Sequence, residues 1–357
     1  MNRRYCREKV LKTLFLIMVI MQGCTDKSPE QQSPGLFSGD GFFIGNEGNF
    51  RSGNGSLSFY SYDSIHVYNN LFSVVNGRPA GDVLNYIAIH GDHLFMVVNN
   101  SGKVEVTDAG TLESEASVTG LLSPRNIAFI SDTKAYISSL YSDSVTIFNP
   151  EGFIIEGYIN IGRTSEYITV KGNRAWISNW SMGNTITVID TENDLVDGVI
   201  VVASEPGRIV EDSDGMLWVL CSGGYMNTEY PALYRIDPAL MSVDVELRFE
   251  NILSSPSELM INKTGDRLFF LNGDIFSMGT EDIRLPDDPI IESCDRNFYR
   301  LGYDAHRDII YATDAVDYMQ KGHVYGYNQA GDEVISFEAG IIPGSFAFTG
   351  NGDNMIE

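Results

Sequence analysis

Two histidines, His90 and His93, stand three residues apart in "HGDH", a spacing that suits a pair of zinc ligands when the backbone holds both on one face. Here they bracket Gly-Asp, a two-residue turn signal between two apolar runs. The pair therefore reads as the ends of a β-hairpin and not as a metal site. "EDSDG" at 211–215 has the opening oxygens of a calcium loop. It lacks the later ligands and the bidentate glutamate, so it reads as a plain turn. Cys221 sits inside "LWVLC" and reads as a small buried hydrophobe, and its distance from Cys294 fits no metal motif. Neither a Gly-x-Ser-x-Gly elbow nor a phosphate loop occurs. With 48 Asp and Glu residues, no carboxylate pair stands out. The expectation is a protein that is not an enzyme, with no catalytic residue, no metal and no cofactor.

The residues that offer binding chemistry are of another kind. Phe50, Tyr141, Trp180, Met182, Tyr225, Tyr230, Phe298 and Tyr318 fall between the apolar alternations, where loops belong. In the same segments stand Asn46, Asn49, Asn99, Asn179, Asn184 and Asn272, with Arg78, Arg125, Arg163 and Arg208. Aromatic rings supply rigid contact area, and amide side chains both donate and accept hydrogen bonds. Together they suit a large, partly apolar ligand edged with amides or hydroxyls. The candidate ligand-binding set is Asn46, Phe50, Asn99, Arg125, Tyr141, Arg163, Asn179, Trp180, Tyr225 and Tyr318.

What must position them is a repeat. "AYISSLYSDSVTIFNPE" (135–151) and "AWISNWSMGNTITVIDTE" (175–192) open on Ala, an aromatic and Ile-Ser, and both close on alternating apolar residues. A short strand precedes each such aromatic strand. Its anchor residue is Ile87, Ile127, Ile168, Ile209, Leu259, Leu301 and Phe346 in turn, at steps of 40, 41, 41, 50, 42 and 45 residues. Four short strands at this period make a β-propeller blade. The last anchor lies too near the C-terminus for three more strands. Conversely, "GFFIGNEG", "GSLSFY" and "SIHVYN" near the start are second, third and fourth strands without a first. Joining the two ends predicts an all-β, seven-bladed β-propeller of four-stranded antiparallel blades over 41–357, with the strand around Phe346 beside the strand around Phe43. Helix should be nearly absent. The repeated aromatics Phe95, Tyr136, Trp176, Trp218, Phe269 and Tyr311 then belong to the core. Loops after second and fourth strands share one face, which gathers the candidate set at the channel mouth.

The chain opens on a basic segment (Arg3, Arg4, Arg7, Lys9, Lys12) and a short apolar run, "LFLIMVIM", ending in "MQGC". This resembles a bacterial lipobox, with cleavage after residue 23 and lipidation of Cys24. Residues 24–40, rich in Pro, Ser and Gln, read as a flexible tether. Lipid chains on Cys24 would hold the protein on a membrane without a spanning helix. The formal net charge is −24, and cleavage makes the chain more acidic still. Such a surface repels phosphate backbones, which excludes nucleic acid as a partner.

The stretches "NEGNFRSGNGSLSFY", "SPRNIAFISDTKAYISSLYS", "ISNW", "LWVLCSGGY", "PALYRID" and "ATDAVDYMQKGHVYGY" resemble the YncE-like, surface-layer-type propeller lipoproteins of gut anaerobes. The match runs over about 41–349. Within that group the chain is similar to the BtuG-type proteins, which capture vitamin B12 and other corrinoids outside the cell and pass them to a TonB-dependent outer-membrane receptor. The resemblance implies a lipid-anchored outer-membrane protein facing the exterior. It also implies a corrinoid ligand, with Phe50, Tyr141, Trp180 and Tyr225 packing on the macrocycle and Asn46, Asn99, Asn179, Arg125 and Arg163 meeting its amides. Two other readings compete: a non-catalytic adaptor docking a protein or glycan, and a lactonase-like hydrolase, which would need carboxylates or metal ligands at the channel mouth.

Overall fold

The computed structural model describes residues 39–349. The proposed signal segment, Cys24 and most of the tether lie outside the described residues, as do the last residues of the chain.

Seven antiparallel sheets stand in a ring. Their inner strands are Pro343–Phe348, Leu84–His90, Pro124–Ser131, Ile168–Lys171, Pro206–Glu211, Ser257–Ile261 and Phe298–Asp304, which we assign to blades 1 to 7. Each inner strand contacts the next, and the ring closes where Phe298–Asp304 meets Pro343–Phe348 and that strand meets Leu84–His90. Blade 1 is assembled from both ends of the chain, in the order Pro343–Phe348, Gly41–Asn46, Ser56–Ser61, His66–Tyr68. Ile44 pairs with Phe346 and Phe43 with Ala347, the closure that the unmatched terminal strands predict. Closing the ring removes sheet edges at which chains would otherwise aggregate.

Two details depart from the expectation. Blade 6 has three regular strands, Ser257–Ile261, Arg267–Asn272 and Asp274–Gly279. Its fourth place is held by a single bridge between Ile275 and Ile291. The segment behind that bridge, "DDPIIESCD", offers only one short apolar pair, too little for a strand. A six-residue helix, Leu71–Asn76, also follows blade 1 and buries Leu71 and Phe72.

The core is divided. Seven clusters of buried apolar residues occur, one at each blade–blade interface. The repeated aromatics Phe95, Tyr136, Trp176, Trp218, Phe269 and Tyr311 are all buried. Each pairs with the residue that follows the inner-strand anchor, as Tyr136 does with Ala128 and Trp176 with Thr169. Phe43, opposite Ala347, is the seventh member. The seam between blades 7 and 1 is the most aromatic, with Phe42 against Tyr60, Tyr311, Phe346 and Phe348 at centroid distances of 4.6–5.9 Å. There Tyr62 donates to Asp304 at 2.6 Å and shares a 2.8 Å hydrogen bond with Tyr311.

The two stretches read as turns are turns. His90 and His93 pair across Gly91–Asp92. The His90 ring then stacks on Phe129 at 4.2 Å, while His93 lies 2.7 Å from Glu115, so the two imidazoles part. Asp212 accepts the backbone N–H groups of Asp214 and Met216 and the indole N–H of Trp218 at 2.7 Å. Its oxygens pin the hairpin to the core.

Candidate functional site

At the top of nearly every inner strand the backbone does something irregular. A non-glycine residue with positive φ stands at Val83, Ser123, Glu205, Glu258 and Ile342. Register shifts stand at the same level in blades 2, 3, 5, 6 and 7. Such conformations cost about 1–3 kcal/mol each and persist where the surroundings enforce them. A bulge also re-aims side chains and frees a backbone N–H. In three blades a hydroxyl on the second strand accepts an inner-strand N–H at this level: Ser138 from Asn126 at 2.9 Å, Ser178 from Tyr167 at 3.0 Å and Thr313 from Arg300 at 3.0 Å. The repeated Ile-Ser of the sequence is thus half packing and half hydrogen bonding.

The bulges bring charged side chains together around the channel mouth. Arg125 of blade 3 grips Glu166 of blade 4 through Nε at 2.9 Å and Nη2 at 2.6 Å. Arg300 of blade 7 meets Glu258 of blade 6 at 2.7 Å and Glu47 of blade 1 at 3.6 Å. Tyr299 donates to Glu47 at 2.8 Å, and the Arg208 guanidinium lies 5.3 Å from the Tyr167 ring centre. Three arginines and three glutamates therefore balance. The five side chains in ion pairs are each less than a fifth exposed. Burial opposes the charge on Arg125 and Arg300, yet the facing carboxylates and phenols hold both guanidinium pKa values above the ordinary value. Desolvation pushes Tyr167 up to about 12, so its hydroxyl stays protonated at neutral pH.

Four members of the candidate set are committed to partners within the chain. Arg125 is locked in an ion pair. Asn46, Asn99 and Asn179 are buried, and their amides brace the loops from beneath. Asn46 donates to Ser56 and Ser58 and accepts from the Gly340 N–H at 3.0 Å. Asn99 donates to Ser123 Oγ at 2.9 Å and the Pro124 carbonyl at 3.0 Å. Asn179 donates to the Thr164 carbonyl and accepts from Thr185 and Thr187 at 2.8–2.9 Å. Each stands at the end of a second strand, where backbone groups leave the ladder and need partners.

The aromatic part of the set is on the surface. Phe50, Tyr141, Trp180, Tyr225 and Tyr318 are 63%, 69%, 36%, 87% and 43% exposed. They come from the second-to-third-strand loops of blades 1, 3, 4, 5 and 7, and Arg163 is exposed in the crossover to blade 4. Arg51 lies over the Phe50 ring at 5.2 Å, and Tyr318 sits edge-on to Tyr299 at 5.7 Å. Glu205 steadies the Tyr225 loop by accepting from Ser222 Oγ and the Tyr225 N–H. The turns at the other end carry few large exposed apolar side chains, chiefly Ile65, Leu240 and Ile283.

Glu47, Glu166, Tyr167, Glu258, Tyr299 and Arg300 are absent from the candidate set. A signal for them exists. The two residues before each anchor read Asn-Tyr, Arg-Asn, Glu-Tyr, Gly-Arg, Ser-Glu, Tyr-Arg and Gly-Ser. That column is polar or aromatic while the anchors themselves are apolar.

These features define a closed seven-bladed β-propeller with an aromatic face above a charge-balanced channel mouth. Over residues 40–338 the chain matches the domain of unknown function DUF5074, and it belongs to that family. No curated protein matches it. Among solved structures it is similar to a quinoprotein alcohol dehydrogenase-like protein from Bacteroides thetaiotaomicron, with 13% identity over 87% of this chain and 78% of that one and a TM-score of 0.66. A protein from Lactobacillus plantarum matches at 9% identity over 87% and 99%, TM-score 0.65. Hydrazine synthase of Kuenenia stuttgartiensis matches at 17% over 73% and 88%, TM-score 0.59. At such identities the likeness is one of fold.

Proposed function

We propose that this chain is a non-catalytic capture protein of the bacterial surface, anchored through lipidated Cys24. Its aromatic face binds a corrinoid and passes it to a TonB-dependent outer-membrane receptor. The observation that carries the reading is the asymmetry of the two ends. Six exposed aromatic rings from five blades, Phe50, Tyr141, Trp180, Tyr225, Tyr230 and Tyr318, stand on one face, above a girdle whose charges are already matched. Exposed aromatic groups concentrated on one surface mark a binding site. The girdle carboxylates that a hydrolase would use are each tied to an arginine or a tyrosine. With three asparagines and Arg125 committed inside, the ligand's amides fall to Arg163 and to loop backbone groups.

The adaptor reading has one observation in its favour: Met182 and Tyr225, at 97% and 87% exposure, stand clear of their surroundings, as contact residues for a broad partner would. Mixing the purified full chain in detergent with cyanocobalamin and desalting it separates the two. Red colour that stays with the protein supports capture, and Trp180→Ala should then weaken binding about 30-fold with the melting temperature unchanged. A wild-type protein that loses the colour overturns the corrinoid assignment and leaves the adaptor.

A further inference from the structure

On the aromatic face, the crossover from blade 3 to blade 4 carries Arg163 beside the loops of Tyr141 and Trp180. We infer that Arg163 and these two rings form a subsite for a singly charged phosphodiester joined to a planar ring. The inference rests on the corrinoid reading and sharpens it. Complete corrinoids carry one phosphodiester with a heterocyclic base beyond it, and cobinamide, the same macrocycle without that arm, carries neither.

The backbone fixes the placement. Residues 161–167 link the strands Ile154–Asn160 and Ile168–Lys171. On one side the N–H groups of Ile161 and Gly162 both reach the Asp143 carbonyl, at 2.9 and 3.0 Å, in the loop of Tyr141. On the other side Asn179 donates to the Thr164 carbonyl at 2.9 Å, and Thr164 Oγ1 donates to the Ser181 carbonyl at 3.5 Å, in the loop of Trp180. Gly162, with φ 65°, makes the turn between these anchors. The backbone at Arg163 is thus held from both sides, while its side chain stands exposed.

The charge on that side chain is unspent. Every other lysine and arginine of blades 3 and 4, Arg125, Lys134, Lys171 and Arg174, is in an ion pair. Arg163 makes no ion pair and no side-chain hydrogen bond among the described residues. Asp143, the carboxylate of the adjoining loop, takes Ser144 Oγ at 3.1 Å and Asn160 at 3.4 Å instead. In a chain of net charge −24, a guanidinium kept clear of carboxylates is a cation left for a ligand. One guanidinium balances one negative charge, and its fork of N–H donors fits the two free oxygens of a phosphodiester. A phosphomonoester or pyrophosphate carries more charge than one arginine offsets, and the acidic surface repels the excess. A carboxylate would suit the fork as well, but the side chains of a corrinoid end in amides, which leaves the phosphodiester as its oxyanion. Tyr141 and Trp180 supply exposed ring area for the base. The donors that remain on Arg163 still serve a neighbouring amide.

The test is a cycle of two ligands and two proteins. Cyanocobalamin and dicyanocobinamide, both without net charge, are titrated by calorimetry into the full-chain wild type and Arg163→Gln. The variant should weaken cyanocobalamin about tenfold or more, the worth of a hydrogen bond to a charged group, and dicyanocobinamide less than about threefold. Arg163→Lys keeps the charge but loses the fork, so it should fall between. Arg284→Gln removes another exposed arginine without an ion pair, at the opposite end of the molecule, and should leave both affinities unchanged. That control separates contact from the long-range field. Melting temperatures should match the wild type, because the Arg163 side chain bonds nothing in the fold. Equal losses for the two ligands, or no loss for cyanocobalamin, overturn the subsite and leave the corrinoid reading standing. A wild type that binds neither ligand overturns both.

Discussion

The ion pair between Arg125 and Glu166 tests whether Arg125 reads a ligand or holds two blades together. Its side chains are 16% and 7% exposed, and the guanidinium makes three contacts of 2.6–2.9 Å to the carboxylate. Removing either partner strands a buried charge, which costs about 3–5 kcal/mol. Removing both strands nothing, and apolar replacements of similar volume often recover the loss. Arg125→Met and Glu166→Leu should therefore each lower stability by about 3–5 kcal/mol in urea melts at pH 7, while the double variant falls by no more than about 2 kcal/mol. The coupling should then be at least about 4 kcal/mol, far above the scatter of independent sites. High salt should change the coupling little, because a desolvated pair is poorly screened. On the proposed corrinoid reading, the same double variant should bind cyanocobalamin with unchanged affinity. Additive single effects would refute the buried pair. A double variant that is stable yet has lost the ligand would return Arg125 to the binding set.

Two further perturbations probe the scaffold. Trp176 is 1% exposed in the wedge between blades 4 and 5, so Trp176→Ala should cost about 3–5 kcal/mol by thermal or urea melt, against almost nothing for Trp180→Ala four residues on. Glu105 is fully buried on blade 2. Burial works against its charge, but hydrogen bonds from Arg78, from Lys103 at 2.6 Å and from Ser114 at 2.7 Å outweigh that and hold its carboxyl below the ordinary value. A depressed folded-state pKa gives stability that is present above the unfolded value of about 4.3 and lost as pH falls through the folded value. Glu105→Gln should thus cost about 3–5 kcal/mol at pH 7, and its gap to the wild type should close below about pH 4 in melts taken from pH 7 to 3.

The fold was legible because its signals are local and repeated. Tyr136, Trp176 and their counterparts recur at one place in a four-strand unit, and the period alone implies a ring. Closure was legible because the terminal strands were unmatched. Blade 6 shows the limit: one bridge at Ile291 stands where a strand was expected, since a shortened fourth strand leaves almost no alternation to read. The exposure of the candidate aromatic residues was legible for the opposite reason. Phe50, Tyr141, Trp180 and Tyr225 are apolar groups outside any alternation, and their exposure follows from that. The internal bracing role of Asn46, Asn99 and Asn179 was not legible, because an amide serves a strand end or a ligand equally well. Only the position of its neighbours decides which.

Why the girdle escaped notice is a matter of register. In a regular strand, alternation would send every second side chain toward one neighbouring blade, and Glu166, Glu258 and Arg300 would be buried charges in a wedge core. The bulge breaks that alternation, and the left-handed residue beside it, as at Ser123 or Glu205, sets where the break falls. The hydroxyl of Ser138 or Ser178 then accepts an inner-strand N–H at that level. In blade 3, where all three parts occur together, the device that turns the chain from the outer edge of one blade to the inner strand of the next also delivers Arg125 to the channel mouth. Three neighbouring pairs, blades 3 and 4, 6 and 7, and 7 and 1, are consequently joined twice, by an apolar wedge and by girdle ion pairs. Only the loops above are left without such a task, and they are where Tyr141 and Trp180, written into otherwise parallel sentences, are free to differ.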